Sequence, residues 1–495
     1  MTLLICYAKG MDPTFDRVHV VSDLHLGGRP GFQIFNQGAA LAGFIDSVAQ
    51  ADSELSVALV LNGDIVDFLA EEPPAYLDPG GAVSKLERIA ADPAFSAVWD
   101  ALGRFAAVRN RTLVLVLGNH DVELALPPVR EWVLRRLSGS PEARARVVFA
   151  VDGAGFACAV RDRRVLCLHG NEVDAWNAVD YGAILGVARA LNRAQSPPAW
   201  TPNAGTRLVI DVMNAVKRSF PVVDLLKPET AAVPPVILAL DPSQVEALRR
   251  VAPVLLRLAW DAARLATGFL GDAPMPDGDA LSSLLEQAPR KSNAFRAAEP
   301  VGTEDALERI ERYIDEGRRP LEVAVAGRAE MLSAWGVIRD LVVGRDPAEE
   351  LRDTLASWLG DDDTFKPDAS DSASRALDGS VGPEVDFLVA GHTHLERSLR
   401  RERGRGAYFN SGTWIRLIQL GADVLTDKAK FSEVFNTFRA GTMEALDRRP
   451  GLVLNRRTVV TIGAAADGAY GEVSHVGTSA QGIELKPVPG TKRGV

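Results

Sequence analysis

Five short apolar runs punctuate the chain, and each ends in a cluster of polar residues able to bind metal or move a proton. VHVV at 18–21 leads into Ser22-Asp23-Leu24-His25, and VALVL at 57–61 into Asn62-Gly63-Asp64-Ile65-Val66-Asp67. LVLVL at 113–117 leads into Gly118-Asn119-His120-Asp121. VLCL at 165–168 leads into His169-Gly170-Asn171-Glu172, and FLVA at 387–390 into Gly391-His392-Thr393-His394. Runs this short, rich in Val and Leu, predict strands buried on both faces in an α/β or sandwich core. Open sheets place ligand sites beyond the carboxyl ends of their strands, where all five clusters fall.

Between the fourth and fifth runs the pattern becomes helical. His169 and His392 lie 223 positions apart, far more than one crossover requires. Residues 176–382 are therefore expected to form a mostly helical insertion or lid, between a first core part at 1–175 and a second at 383–495. Asp241-Pro242-Ser243-Gln244 and Asp346-Pro347-Ala348-Glu349 are helix-start signals, with Gly360 as a stop for the second. Thr303 can cap EDALERIERYIDEG, and the apolar stretch 251–271, interrupted by Arg257, Asp261 and Arg264, suits an amphipathic helix. Residues 361–382, acidic and rich in Ser and Gly, read as a linker or disordered loop. Residues 427–447 read as a helix, and RTVVTIGAA with the following GEVSHVG as strands that finish one sheet.

Composition narrows the class. At 495 residues the chain exceeds a usual single core. Its 47% hydrophobic and 24% charged content is that of an ordinary globular protein. A net charge of −10 weighs against bulk binding to a polyanion. Three scattered cysteines, Cys6, Cys158 and Cys167, give no disulfide framework or thiolate zinc site, which fits a reducing cytoplasm. No transmembrane segment or signal peptide is legible.

The histidines sharpen the chemistry. His25, His120, His169, His392 and His394 fall in the strand-end clusters, whereas His19 and His475 do not. Any one cluster could be an ordinary turn, but five in order, each at a strand end, exclude coincidence. Asp, His and Asn without Cys make a hard-to-borderline donor set, suited to manganese first, with iron or zinc as alternatives. Asp23 and His25, two apart in an extended segment, would project the same way and share an ion. Seven candidate ligands suit two ions, which at roughly 3.5–4 Å apart clamp both oxygens of an in-line phosphoryl displacement.

SDLH, GDIVD, GNHD, HGN and GHTH, in this order, resemble the calcineurin-like metallophosphoesterase superfamily over about residues 15–175 and 383–420. The resemblance implies a β-sandwich flanked by helices and a binuclear centre. It places Asp23, His25, Asp64 and His394 on one metal, and Asp64 as a bridge, Asn119, His169 and His392 on the second. His120 would protonate the leaving oxygen, held protonated by Asp67, and a metal-bridging hydroxide would attack. The superfamily's Ser/Thr phosphatases carry Arg where this chain has Phe68, so the paired GHTH histidines point to phosphodiesterase-like branches. SDLHLGG and YFNSGTW at 408–414 look most like relatives of the UDP-diacylglucosamine pyrophosphohydrolases, although HGN stands where those enzymes have HGD.

The expected activity is hydrolysis of a small phosphodiester or pyrophosphate, a nucleotide–lipid conjugate with an apolar part among them. A metal-dependent nuclease is the alternative, kept open by Arg397, Arg400, Arg401, Arg403 and Arg405. Those arginines otherwise read as a solvated hairpin tip. A scaffold that has lost catalysis ranks last, because no ligand position is eroded.

Overall fold

The computed structural model describes residues 12–174, 177–227, 236, 239–240, 346–359, 363–466, 468–479 and 482–495. Contacts divide the chain into two units, Met1–Ile210 with Asp363–Arg416 and Leu454–Val495, and Asp211–Asp362 with Leu417–Val453.

The first unit is built on two sheets. One runs β2 (Arg17–Val21), β3 (Val57–Asn62), β4 (Arg111–Val116) and β5 (Val147–Ala150), all parallel. It is extended on the β2 side by antiparallel strands Thr458–Ala465, Gly468–Ser479 and Gly482–Pro487. The other has the order β1 (Thr14–Phe15), β6 (Phe156–Val160), β7 (Arg163–Cys167), β8 (Phe387–Ala390), β10 (Ala407–Ser411) and β9 (Glu396–Arg400).

Both faces of each sheet are covered, which explains why the strands read as continuous apolar runs. Val18, Val20, Ala58, Val60, Val114 and Val116 of the first sheet share one core with Val165, Cys167, Phe387, Val389 and Phe409 of the second. Helices Gly38–Gln50 and Ser96–Ala107 pack with the first sheet, where Phe44 meets the His19 ring edge-on. Leu377, Val381 and Val385 cover Leu388, Ala390 and Tyr408 on the far face of the second. The expected sandwich flanked by helices is this arrangement. All five apolar runs are strands in it, and β7 and β8 are parallel neighbours despite the residues between them.

Several expectations change. Residues 372–380 form a helix rather than a loose linker: Asp371 and Ser374 make a reciprocal capping box, and the acids find buried arginine partners described below. The region 427–447 is two helices, Lys428–Arg439 and Met443–Asp447, separated at Gly441, whose φ of 63° is left-handed. In the second unit, the helix Pro347–Leu359 begins at its expected signal and packs with Lys428–Arg439. Leu351, Leu355, Phe431, Val434, Phe435 and Phe438 are buried there, so 417–453 groups with 211–362 rather than with the strands that follow it. The signals at 241–244, Thr303, 251–271 and Gly360, and Cys6, lie outside the described residues. Among the described residues, no helix is long and apolar enough to cross a membrane.

Candidate metal centre

All five polar clusters meet at the carboxyl edges of the two sheets. Asp23 and His25 follow β2, Asp64 and Asp67 follow β3, and Asn119 and His120 follow β4. His169 follows β7, and His392 and His394 follow β8. Three triads converge, each with ligand atoms within 4.8 Å of one another: Asp23, His25 and His394; His25, Asp64 and His120; Asp64, His169 and His392. Asp64 thus belongs to one triad on each side. His19, against Thr461, and His475, against Glu396, lie apart from the cluster.

The backbone is strained where the candidate ligands sit. Of nine described non-glycine residues in the left-handed region, five are Asp23, His25, Asp64, His392 and His394. Asp23 and His25 are therefore not in an extended segment; two left-handed residues turn both side chains toward one place. Glycine permits the close approaches. A Cβ on Gly118 would fall 2.2 Å from Asp64 Oδ1, and one on Gly63, at φ 85°, would fall 2.3 Å from the His169 ring.

Members of the same clusters and of YFNSGTW that were assigned no role hold these loops. Asn62 donates from Nδ2 to the Leu168 carbonyl at 2.7 Å, stitching the ends of β3 and β7. The carboxylate of Asp121 accepts from the Gly118 and Ile65 amides, each at 2.7 Å. Burial and the charge of Asp64 push the Asp121 carboxyl up to about 7, against those two bonds. The YFNSGTW segment forms the floor: Asn410 donates to the Gly391 carbonyl at 2.6 Å, and Thr413 Oγ1 to the Asp23 carbonyl at 2.7 Å. Ser22 Oγ bridges Asp23 Oδ2 at 2.5 Å and Ser411 Oγ at 2.7 Å.

The charges favour a cation. Asp23, Asp64 and Asp67 are buried, and among the described residues no Lys or Arg pairs with any of them. Burial raises each carboxyl, but the histidine rings around it prevail and hold all three below the usual range, Asp64 and Asp67 well below. Three buried carboxylates balanced only by imidazoles leave room for added positive charge.

Donor geometry agrees. His169 Nδ1 lies 2.8 Å from the Asn62 carbonyl, which can only accept, so Nδ1 carries a proton. In a neutral ring Nε2 then turns its lone pair toward Asp64 Oδ2 at 3.2 Å, an arrangement that needs a cation between them. Without one the ring must take a second proton; burial opposes this, but Asp64 outweighs it and lifts the His169 pKa to about 10. His394 Nε2 lies 3.2 Å from His25 Nε2 and 3.3 Å from Asp23 Oδ1. Ligand atoms bound to one ion at about 2.1 Å stand about 3–3.4 Å apart, so these three suit a common ion. Asn119 Oδ1 is buried with no hydrogen-bond partner among the described residues, which also suits a ligand.

His120 sits between the acids. Its amide donates to Asp64 Oδ1 at 2.8 Å, and its ring Nδ1 lies 3.2 Å from Asp67 Oδ1. Its side chain is 17% exposed, whereas those of Asp64 and His169 are buried, so it lies on the open side. Asp67 also reaches His25 Nδ1 with its other oxygen, at 3.4 Å.

The arginine cluster resolves differently from both of its expected readings. Arg397 and Arg401 are buried, their guanidiniums held by Asp371 and Asp378, while Arg400, Arg403 and Arg405 are exposed. Neither buried arginine is a solvated tip or available as a phosphate clamp.

No curated protein matches the chain. Residues 16–204 match the model of the calcineurin-like phosphoesterase family. The matched stretch holds SDLH, GDIVD, GNHD and HGN, and the fold brings GHTH to the same site, so over this region the chain is similar to the calcineurin-like phosphoesterases, a family of metal-dependent phosphoester hydrolases.

Proposed function

We propose that the chain hydrolyses a small phosphodiester or pyrophosphate at a centre of two divalent ions, manganese first among the candidates. The carrying observation is Asp64, shared by two histidine-containing triads and lacking, among the described residues, any Lys or Arg counter-ion. Asp23, His25, Asp64 and His394 would hold one ion, and Asp64, Asn119, His169 and His392 the other. Bound there, the two ions supply Lewis acidity and a nucleophile at neutral pH.

The chain's own residues supply the rest. Asp67, accepting from His120 Nδ1, orients the ring and favours its protonated form. That leaves Nε2 to give a proton to the departing oxygen. Phe68 is fully buried, so the arginine that marks protein phosphatases has no counterpart at this position. This and the paired histidines of GHTH support a phosphodiester or pyrophosphate over a phosphoprotein. A nucleotide–lipid conjugate is the finer expectation. The internal engagement of Arg397 and Arg401 removes the main support for a nuclease.

The test is hydrolysis by chelator-stripped protein with and without Mn²⁺. The panel is bis(p-nitrophenyl) phosphate, a UDP-lipid, a cyclic dinucleotide and single-stranded DNA. Mn²⁺-dependent cleavage of the small substrates, with DNA spared, is expected. Cleavage of DNA in preference to all others would replace this reading by the nuclease, and inactivity with Mn²⁺, Fe²⁺ and Zn²⁺ alike would end both.

A further inference from the structure

Two imidazoles of the centre, His169 and His392, are held from behind by oxygen acceptors, and one acceptor belongs to no recognised motif. His169 is fixed through Nδ1 by a backbone carbonyl, and His25 faces Asp67 through Nδ1. His392 is held the other way round: its Nε2 lies 2.8 Å from Asp174 Oδ2. A carboxylate at that distance accepts, so Nε2 carries the proton and Nδ1 keeps the lone pair.

Asp174 is itself anchored. Asn177 donates from Nδ2 to the same Oδ2 at 2.7 Å, and the Asp174 carbonyl accepts from the Asn177 and Ala178 amides at 3.0 and 2.8 Å. It closes the short turn Asn171–Val173 that follows His169. Gly170, at φ 118°, brings that turn against the loop after β8: a Cβ there would stand 3.2 Å from His392 Cβ and 3.3 Å from the Gly391 carbonyl. One loop thus carries both His169 and the group that aims His392.

We infer that Asp174 is a positioning residue for the second metal, fixing the tautomer and direction of His392 so that Nδ1 is its donor atom. The inference rests on the reading of His392 as a ligand. Carboxylates behind metal-bound histidines raise ligand basicity and hold the ring, and losing one costs about 10–100-fold in metal affinity. Among the candidate ligands, it is His392 that Asp174 holds by a hydrogen bond, so the loss should fall chiefly on the ion that His392 would bind.

Calorimetric titration of Mn²⁺ into chelator-stripped full-length protein tests this without any substrate. Asp174→Ala should weaken one binding event about 10–100-fold and leave the other unchanged. Asp174→Asn, which keeps an oxygen for Nε2–H, should recover part of that loss. Asn177→Ala, which loosens the Asp174 carboxylate but keeps its bond to His392, should weaken the same event by less than Asp174→Ala does. Equal weakening of both events in Asp174→Ala, or no recovery in Asp174→Asn, would mean that Asp174 merely holds the loop, and would overturn the inference. Wild-type affinities in Asp174→Ala, with one ion lost in His392→Ala, would overturn it while sparing the ligand set. Two ions kept at full affinity in His392→Ala would instead overturn the ligand reading beneath it.

Discussion

Two regions of the first unit bury acidic side chains, and they neutralise them in opposite ways. At the strand ends, Asp23, Asp64 and Asp67 have, among the described residues, no Lys or Arg partner, and face histidines and an Asn119 oxygen with no hydrogen-bond partner there. Beside β9, Asp371 and Asp378 are bound by Arg397 and Arg401 at 2.9 and 2.6 Å. Arg401 also donates to the carbonyls of Val381, Gly382 and Val385 just past the helix Ser372–Ser380. Burial raises the Asp378 carboxyl, yet Arg401 and the Glu402 and Arg403 amides hold it below its ordinary range. One region leaves its charge for a cation from outside, and the other closes its balance within the chain. Acids of the first kind are the candidates for chemistry, and acids of the second kind serve the fold.

That contrast predicts separable effects. The largest should come from His120→Asn, which ought to lower the hydrolysis rate roughly 10²–10⁴-fold with metal content and melting temperature unchanged. The defect should shrink for substrates with a good leaving group such as p-nitrophenolate, which needs little protonation. Loss of metal in this variant, measured by elemental analysis, would make His120 a ligand instead.

Arg401→Ala should do the reverse. It leaves Asp378 without its ion partner and held only by the Glu402 and Arg403 amides, at a cost of about 1–3 kcal/mol in denaturant unfolding, with kcat for bis(p-nitrophenyl) phosphate unchanged. A large loss of activity at unchanged stability would erase the distinction between the two regions.

The same contrast explains what the sequence disclosed. Each strand and its ligands are adjacent in the chain, so GNHD or GHTH can be read from a few residues. That Asp23, His25, Asp64, Asn119, His120, His169, His392 and His394 stand at the strand ends is legible for that reason. Their supports are not: Ser22 meets Ser411 at a separation of 389 residues, and Asp174 meets His392 at 218. Such pairings follow from the sandwich and have no local pattern. Asp371 and Asp378 read as part of an acidic linker, and Arg397 and Arg401 as part of a hairpin tip. Each was the other's missing partner, 26 and 23 residues away. The left-handed backbone at Asp23 and His25 was equally hidden, because non-glycine residues adopt it only where tertiary packing imposes it.

The central claim is that Asp64 is shared by two metal positions, and the metal content of Asp64→Ala tests it most directly. Wild-type protein dialysed against Mn²⁺ should carry two ions per chain by elemental analysis. The variant, with its fold verified by circular dichroism, should lose affinity at both positions and retain neither ion under the same dialysis. Two ions retained by Asp64→Ala would contradict the account.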